Sequence, residues 1–274
     1  MRLATIRQGD STAAVRVDGE QATAIDGSAD VGSLLADPGW RERAGSADGA
    51  TQPVAALDFA PLVPRPDKIV CVGLNYRTHI LEMGRELPEY PTLFAKFRSS
   101  LIGAHDHIEL RPAVKSLDWE AELAVVIGSA VRDADEDQAA AAIAGFTVLN
   151  DVTARDWQNR TLQWLQGKTF EHSTPVGPCL VTPDEFAGTT GAITCVVNSE
   201  TMQESDVGEL VFGPVALISY ISTIVTLLPG DIIATGTPGG VGAARTPPRF
   251  LAAGDVVVTR IAGLGELRNS CADS

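Results

Sequence analysis

The sequence predicts a strand-rich mixed α/β fold, with strands in a mixed, closed or rolled sheet and a few helices packed outside. Three observations predict it. The 274 residues include 26 Gly and 16 Pro, a turn density that suits many short strands better than a helical bundle. Aromatics are 5% of a chain that is 45% hydrophobic, so the core has to come from Val, Ile, Leu and Ala. Apolar runs such as Leu123 to Ile127 are too short for an ordinary helix and suit buried strands.

The elements follow in order. Leu3 to Ile6 and Ala13 to Val17 read as short strands, and Asp18-Gly19 as a two-residue hairpin turn into Ala22 to Ile25. A short helix is expected around Val31 to Ala36, then a loose connection rich in Ala, Asp and Gly. Arg65-Pro66-Asp67 punctuates the chain before a strand at Lys68 to Val72. These shifts suggest a small N-terminal α+β domain over residues 1–62 and one larger unit over residues 63–274. Within the latter, Glu136 to Ala144 reads as helix and Phe146 to Leu149 as strand. Arg155 to Trp164 reads as helix or turn. Ile193 to Val197, Ile232 to Ala234 and Val256 to Ile261 read as strands, and Pro175 to Pro178 as a turn. Val215 to Leu227 is apolar nearly throughout and reads as a buried helix stopped by Pro229-Gly230.

The net charge is −14, which disfavours nucleic acid and anionic membrane surfaces as partners. An acidic substrate would then need a local cation to overcome that field. Cys71, Cys179, Cys195 and Cys271 are far apart, as expected of reduced, mostly buried thiols. The N-terminus turns polar at once, and no apolar run reaches the ~18 residues of a membrane span. The expectation is a soluble, cytoplasmic protein.

Chemistry concentrates in a few segments. In Asp118-Trp119-Glu120-Ala121-Glu122, strand alternation puts Glu120 and Glu122 on one face with Asp118 beside them. Like charges there repel, and they lead into a strand that reads as buried. Asp151 ends a second apolar run, Phe146 to Asp151. Three carboxylates without Cys or His select a hard cation: Mg²⁺ or Mn²⁺, with Ca²⁺ possible. Taken alone, the Glu-x-Glu pair reads more readily as the solvent face of an edge strand and Asp151 as a helix cap, since exposed carboxylates are the common case.

His79 and Glu82 stand three apart, a spacing that on a helix lets the carboxylate orient the imidazole as a general base. A surface hydrogen bond explains the same spacing. Lys168 follows Gly167 and would, near a metal, supply a fixed positive charge for an oxyanion. The loop Thr235 to Gly242 is glycine-rich but lacks the ending of a phosphate-binding loop. Its functional use would be close approach of backbone N–H groups and the Thr237 hydroxyl to a carboxylate. His105 and His107 could imitate a metal site, but the carboxylate set is more complete.

Taken in order, these pieces resemble the fumarylacetoacetate hydrolase superfamily, from about Lys68 to Leu267. The matching stretches include Val72 to Tyr76 with His79 and Glu82, Pro91 to Lys96, Asp118 to Gly128, and Asn150 to Asp156 with Gln158. They continue through Gly167-Lys168, Pro175 to Pro178, Pro229 to Asp231 and Thr235 to Gly242. The resemblance implies a β-roll of mixed sheets behind a small N-terminal domain, usually in a homodimer. It implies Mg²⁺ or Mn²⁺ on Glu120, Glu122 and Asp151, and a substrate site lined by Tyr76, Arg155, Gln158, Lys168 and Thr237. The Tyr76, His79 and Glu82 spacing is similar to the acylpyruvase branch, where the His-Glu pair lies on a mobile lid. Two departures, Glu171-His172 after Phe170 and Ser199 in the turn Asn198-Ser199-Glu200, leave the metal site intact and affect substrate identity.

The function expected from this stage is metal-dependent hydrolysis of a C–C bond in a small 2,4-dioxo acid, an acylpyruvate or fumarylpyruvate. His79 would activate water and Lys168 would stabilise the oxyanion. Alternatives on the same metal-enolate site are decarboxylation of an oxaloacetate-like acid, or isomerisation or hydration of an unsaturated 2-oxo diacid. A silent protein that binds metal and a small acid is the reading from another class.

Overall fold

A computed structural model describes residues 1–274 apart from Met83 and Arg85 and the side chains of His79 and Glu82. Among the described residues, eleven strands form the main sheet. Its order runs from Thr51–Pro53 through Gln21–Ala24, Ser11–Asp18, Arg2–Gln8, Thr174–Val181, Ile143–Asn150, Ala121–Ile127, Ile232–Ala234 and Ile69–Gly73 to Thr92–Lys96. Leu101–Ile102 pairs in parallel with Thr174–Val181 off this path. A five-stranded sheet orders Glu200–Asp206, Ala192–Val197, Val256–Ile261, Gly265–Asp273 and Ile108–Leu110, and Leu117–Asp118 pairs with Thr153–Ala154. The strand-rich mixed fold expected from composition is the fold observed.

The central strand Ala121–Ile127 is buried along its whole length because both its faces are covered. Leu123, Val125 and Ile127 enter one apolar cluster and Ala124 and Val126 the other. That is why the segment reads as an unbroken apolar run rather than an alternating one. The N-terminal strands continue this sheet: Arg2 and Leu3 pair with Val181 and Leu180. Leu3, Ala14, Val31 and Leu34 share a cluster with Ile69 and Ala124.

Several boundaries differ from expectation. Asp18 pairs with Gln21, so the hairpin between Ser11–Asp18 and Gln21–Ala24 turns at Gly19-Glu20, one residue later, with Gly19 at φ +58°. Asp18 stays in the ladder while its carboxylate accepts a bond from Arg16. The helix beginning at Glu136 ends at Ala141, because Ile143 and Ala144 are drawn into the strand Ile143–Asn150. The buried helix is Pro214–Ile224, shorter than expected, since Leu227 exchanges backbone hydrogen bonds with Val131. Pro175 to Pro178 is not a turn but part of the strand Thr174–Val181. The register against Ile143–Asn150 shifts between Phe146 and Val148, so the ladder is interrupted where Pro178 lacks its N–H.

All four cysteines are free and buried. Among the described residues no helix is long and apolar enough to cross a membrane.

Candidate active site

The site is built on one pair of antiparallel strands. Ala121 pairs with Asn150, which puts Glu120 opposite Asp151 just beyond the ladder, and the Asp151 N–H donates to the Glu120 carbonyl at 2.8 Å. Paired residues share a face and alternate residues return to it, so Glu120, Glu122 and Asp151 converge. A carboxylate oxygen from each lies within 4.8 Å of the others, and all three residues are buried. The Asn150 carboxamide fixes this end of the pair by accepting from the Glu120 N–H at 2.9 Å and donating to Thr259 at 2.8 Å.

Three cations face the carboxylates. Lys168 Nζ lies 2.7 Å from Glu120 Oε2 and 2.7 Å from Asp151 Oδ2. Lys96 Nζ donates to Asp151 Oδ1 at 2.6 Å and to the Val152 carbonyl at 3.1 Å. Arg155 Nη2 forms an ion pair with Glu120 Oε1 at 2.7 Å. Burial alone would raise Asp151, but Lys168 and Lys96 hold it below the usual carboxylate range. Burial would lower the Lys168 ammonium, yet Asp151 and Glu120 more than offset this and keep it protonated. Lys168 therefore stands as a cation bridging Glu120 and Asp151.

Glu122 differs. Its Oε2 accepts from the Gly236 N–H at 2.8 Å. Among the described residues no side-chain cation lies within ion-pair distance of it. Burial, then Asp151 and Glu120, push it well above the usual carboxylate range. An oxygen-only donor set that is short of one positive charge at Glu122 fits a hard divalent cation. It is also the single group of three or more such ligands found among the described residues. His105 and His107 do not converge: His105 packs edge-on against Phe59, and His107 bonds Ser270.

Beside the carboxylates lies a cavity of about 230 Å³. Glu120, Glu122, Lys168, Arg155, Gln158 and Thr237 all line it, so the fold brings together six residues singled out from sequence. Gln158 accepts from Arg155 Nη1 at 3.0 Å, so its Oε1 is engaged within the protein. Tyr76 is not among the residues lining the cavity; it is fully buried, and its hydroxyl has no partner among the described residues. His79 and Glu82 stand on the helix Arg77–Glu82, but their side chains lie outside the described residues.

The glycine-rich loop does bring backbone N–H groups onto carboxylates, though onto the protein's own. Gly236 serves Glu122, while Gly242 and Ala243 donate to Asp118 at 2.6 and 3.0 Å. Gly240, at φ +98°, passes so close to the Met202 carbonyl that a Cβ would sit 2.0 Å from it.

Sequence reasoning left several residues without a role. Lys96 carries no signal of its own in the sequence, yet in space it pairs with Asp151. Asp118 was noted as a neighbour, but it also clamps Arg155 Nε at 2.8 Å. Phe94 and Trp164 form an edge-to-face wall of the cavity with centroids 5.4 Å apart, and Lys168 sits over the Phe94 ring. Nothing local in the sequence marks that wall. Its nearest signal is Gly73, where a Cβ would meet the Trp164 ring at 2.4 Å.

Comparison with known proteins agrees with this geometry. Residues 68–272 match the family model described as fumarylacetoacetate (FAA) hydrolase, C-terminal. The rat (Rattus norvegicus) protein named oxaloacetate tautomerase Fahd2a, mitochondrial, is 48% identical over 219 residues, covering 79% of this chain and 70% of its own. The fumarylacetoacetate hydrolase of Exiguobacterium antarcticum superposes with a TM-score of 0.90 at 30% identity, covering 100% of both chains. The 5-carboxymethyl-2-hydroxymuconate delta-isomerase of Mycobacterium smegmatis gives 0.84 at 30% identity, again covering 100% of both. The chain belongs to the fumarylacetoacetate hydrolase family, a family of enzymes.

Proposed function

We propose that this protein is a tautomerase of a small 2-oxo diacid of the oxaloacetate type, moving a proton between the carbon and oxygen ends of its enol. The observation that carries the reading is the 48% identity to a protein named oxaloacetate tautomerase, over 79% of this chain. The cavity supports it. About 230 Å³ closed by Phe94 and Trp164 suits a short diacid better than a long acyl chain. A tautomerisation also needs no second substrate in that space.

Glu120, Glu122 and Asp151 would hold Mg²⁺ or Mn²⁺, which when bound would polarise the keto oxygen as a Lewis acid. The chain's own groups do the rest. Lys168, kept protonated by Glu120 and Asp151, offers a fixed cation to charge developing on the substrate oxygens. The Thr237 hydroxyl and the Gln158 amide bind a carboxylate. Arg155, held by Asp118 and Glu120, closes the same wall. His79, with Glu82 three residues on, would carry the proton to and from the carbon next to the keto group.

Hydrolysis of an acylpyruvate is the second reading, favoured by the 0.90 TM-score to the Exiguobacterium hydrolase. Product analysis separates the two. Purified protein with Mg²⁺ or Mn²⁺ is mixed with oxaloacetate, and the enol absorbance, pyruvate and CO₂ are followed together. Faster enol–keto equilibration without pyruvate supports the tautomerase. Release of CO₂ identifies a decarboxylase, and pyruvate formed only from acylpyruvates identifies the hydrolase. The homodimer expected from the resemblance belongs to the same proposal and is checked by sedimentation.

A further inference from the structure

Gln203 lies on the strand Glu200–Asp206 of the five-stranded sheet, outside the carboxylate strands, and is 1% exposed. It is aimed into the site by a bulge. Cys195 pairs with Gln203 and Val196 with Thr201, so Met202 has no partner and the strand turns its next side chain toward the loop at Thr237.

Every polar atom of the Gln203 carboxamide has a partner. Oε1 accepts from the Ala121 N–H at 2.9 Å, between the two glutamates. Nε2 donates to Thr237 Oγ1 at 2.8 Å and to the Pro238 carbonyl at 2.9 Å. The amide cannot be turned round: Pro238 O only accepts and Ala121 N–H only donates, so the flipped form would face acceptor with acceptor and donor with donor. Nε2 is thus the donor toward Thr237, and Thr237 Oγ1 must accept. A hydroxyl has one proton, so that of Thr237 points elsewhere, and Thr237 lines the cavity.

We infer that Gln203 is a positioning residue that turns the Thr237 hydroxyl into a donor aimed at a carboxylate of the bound acid. The same amide ties that donor to Ala121, holding the anchor at a set distance from the glutamates on either side. The inference rests on the carboxylate-binding role proposed for Thr237.

The Gln203→Glu variant is nearly isosteric but places an acceptor opposite Thr237, so the hydroxyl turns back onto it and away from the ligand. Gln203→Met, which can neither donate nor accept strongly, leaves the hydroxyl free to rotate. KM and kcat for oxaloacetate, the Kd for oxalate in the presence of Mg²⁺, and thermal denaturation are measured for Gln203→Glu, Gln203→Met, Thr237→Val and the Gln203→Glu/Thr237→Val double variant. The expected result is a rise of about tenfold or more in KM and in the oxalate Kd for Gln203→Glu, the size of a lost hydrogen bond to a charged group. The expected kcat change is smaller, Gln203→Met gives an intermediate rise, and the double variant is no worse than Thr237→Val. An unchanged Kd in Gln203→Glu, or the same fold-loss in the Thr237→Val background, overturns the inference. An unchanged Kd in Thr237→Val overturns the binding role of Thr237 and the inference with it. Absent turnover with the expected Kd pattern sinks only the tautomerase reading.

Discussion

Lys96 Nζ lies 2.6 Å from Asp151 Oδ1, and both side chains are fully buried. The pair closes the inner side of the carboxylate cluster, while Lys168 bridges Asp151 to Glu120 from the other side.

Removing one partner of such a pair strands the other charge. Lys96→Met is expected to cost ~3 kcal/mol, the lower end for a broken buried ion pair, because Lys168 still compensates Asp151. Urea denaturation checks this. A loss under 1 kcal/mol would mean that the pair is silent.

The acidic trio should bind a divalent cation more tightly in the folded than in the unfolded chain. Mg²⁺ or Mn²⁺ at a hundred times its Kd is then expected to stabilise by ~2.7 kcal/mol, reversed by chelation. Glu122→Gln is expected to abolish the metal-dependent part of the melting shift. If the melting temperature ignores metal in the parent protein, the site does not hold one.

Asp118 joins two parts of the site, accepting from Arg155 Nε and from the N–H groups of Gly242 and Ala243. Asp118→Asn keeps the shape but removes the charge. It is expected to lose ~2 kcal/mol of stability and to raise KM, since hydrogen bonds to charged groups contribute ~1.5–3 kcal/mol. Equal KM in variant and parent would show that Arg155 does not depend on this clamp.

Trp164 lines the cavity, packed edge-on against Phe94. Trp164→Ala should favour longer 2-oxo acids, raising their kcat/KM relative to oxaloacetate by about tenfold or more per accommodated group. An unchanged ratio would locate the length limit elsewhere.

Burial pushes the Cys179 and Cys271 thiols up to about 12 and Cys71 well above its ordinary value. None should react with an alkylating reagent at pH 8 in the native protein, where thiolate is the reactive form. All four should react in urea, counted by mass spectrometry. Rapid native labelling of Cys179 or Cys271 would contradict the burial.

Much of this site was legible because its signals are local. Alternation along a strand is enough to put Glu120 and Glu122 on one face, and the apolar run after them announces a strand covered on both sides. Lys168, Arg155, Gln158 and Thr237 came from ordered motifs, and they line the cavity. The turn at Gly19, the end of the helix at Ile224 and the strand through Pro175 and Pro178 were misread. In each case pairing with a distant segment decided the boundary over local propensity.

By itself, then, the sequence determined the strand-rich class, the acidic charge of the chain, the oxygen-only donors of its carboxylate set and the identity of most cavity residues. The class and the donor set follow from residue type and a period of two, and the cavity residues from the resemblance of the ordered motifs to a family. Only the tertiary structure decided that Asp151 stands opposite Glu120, that Lys96 reaches Asp151 from behind, that Trp164 walls the cavity, and that Gln203 reaches Thr237 from another sheet. Register and sheet-to-sheet packing bring together residues tens of positions apart, and spacing along the chain carries no record of that distance in space.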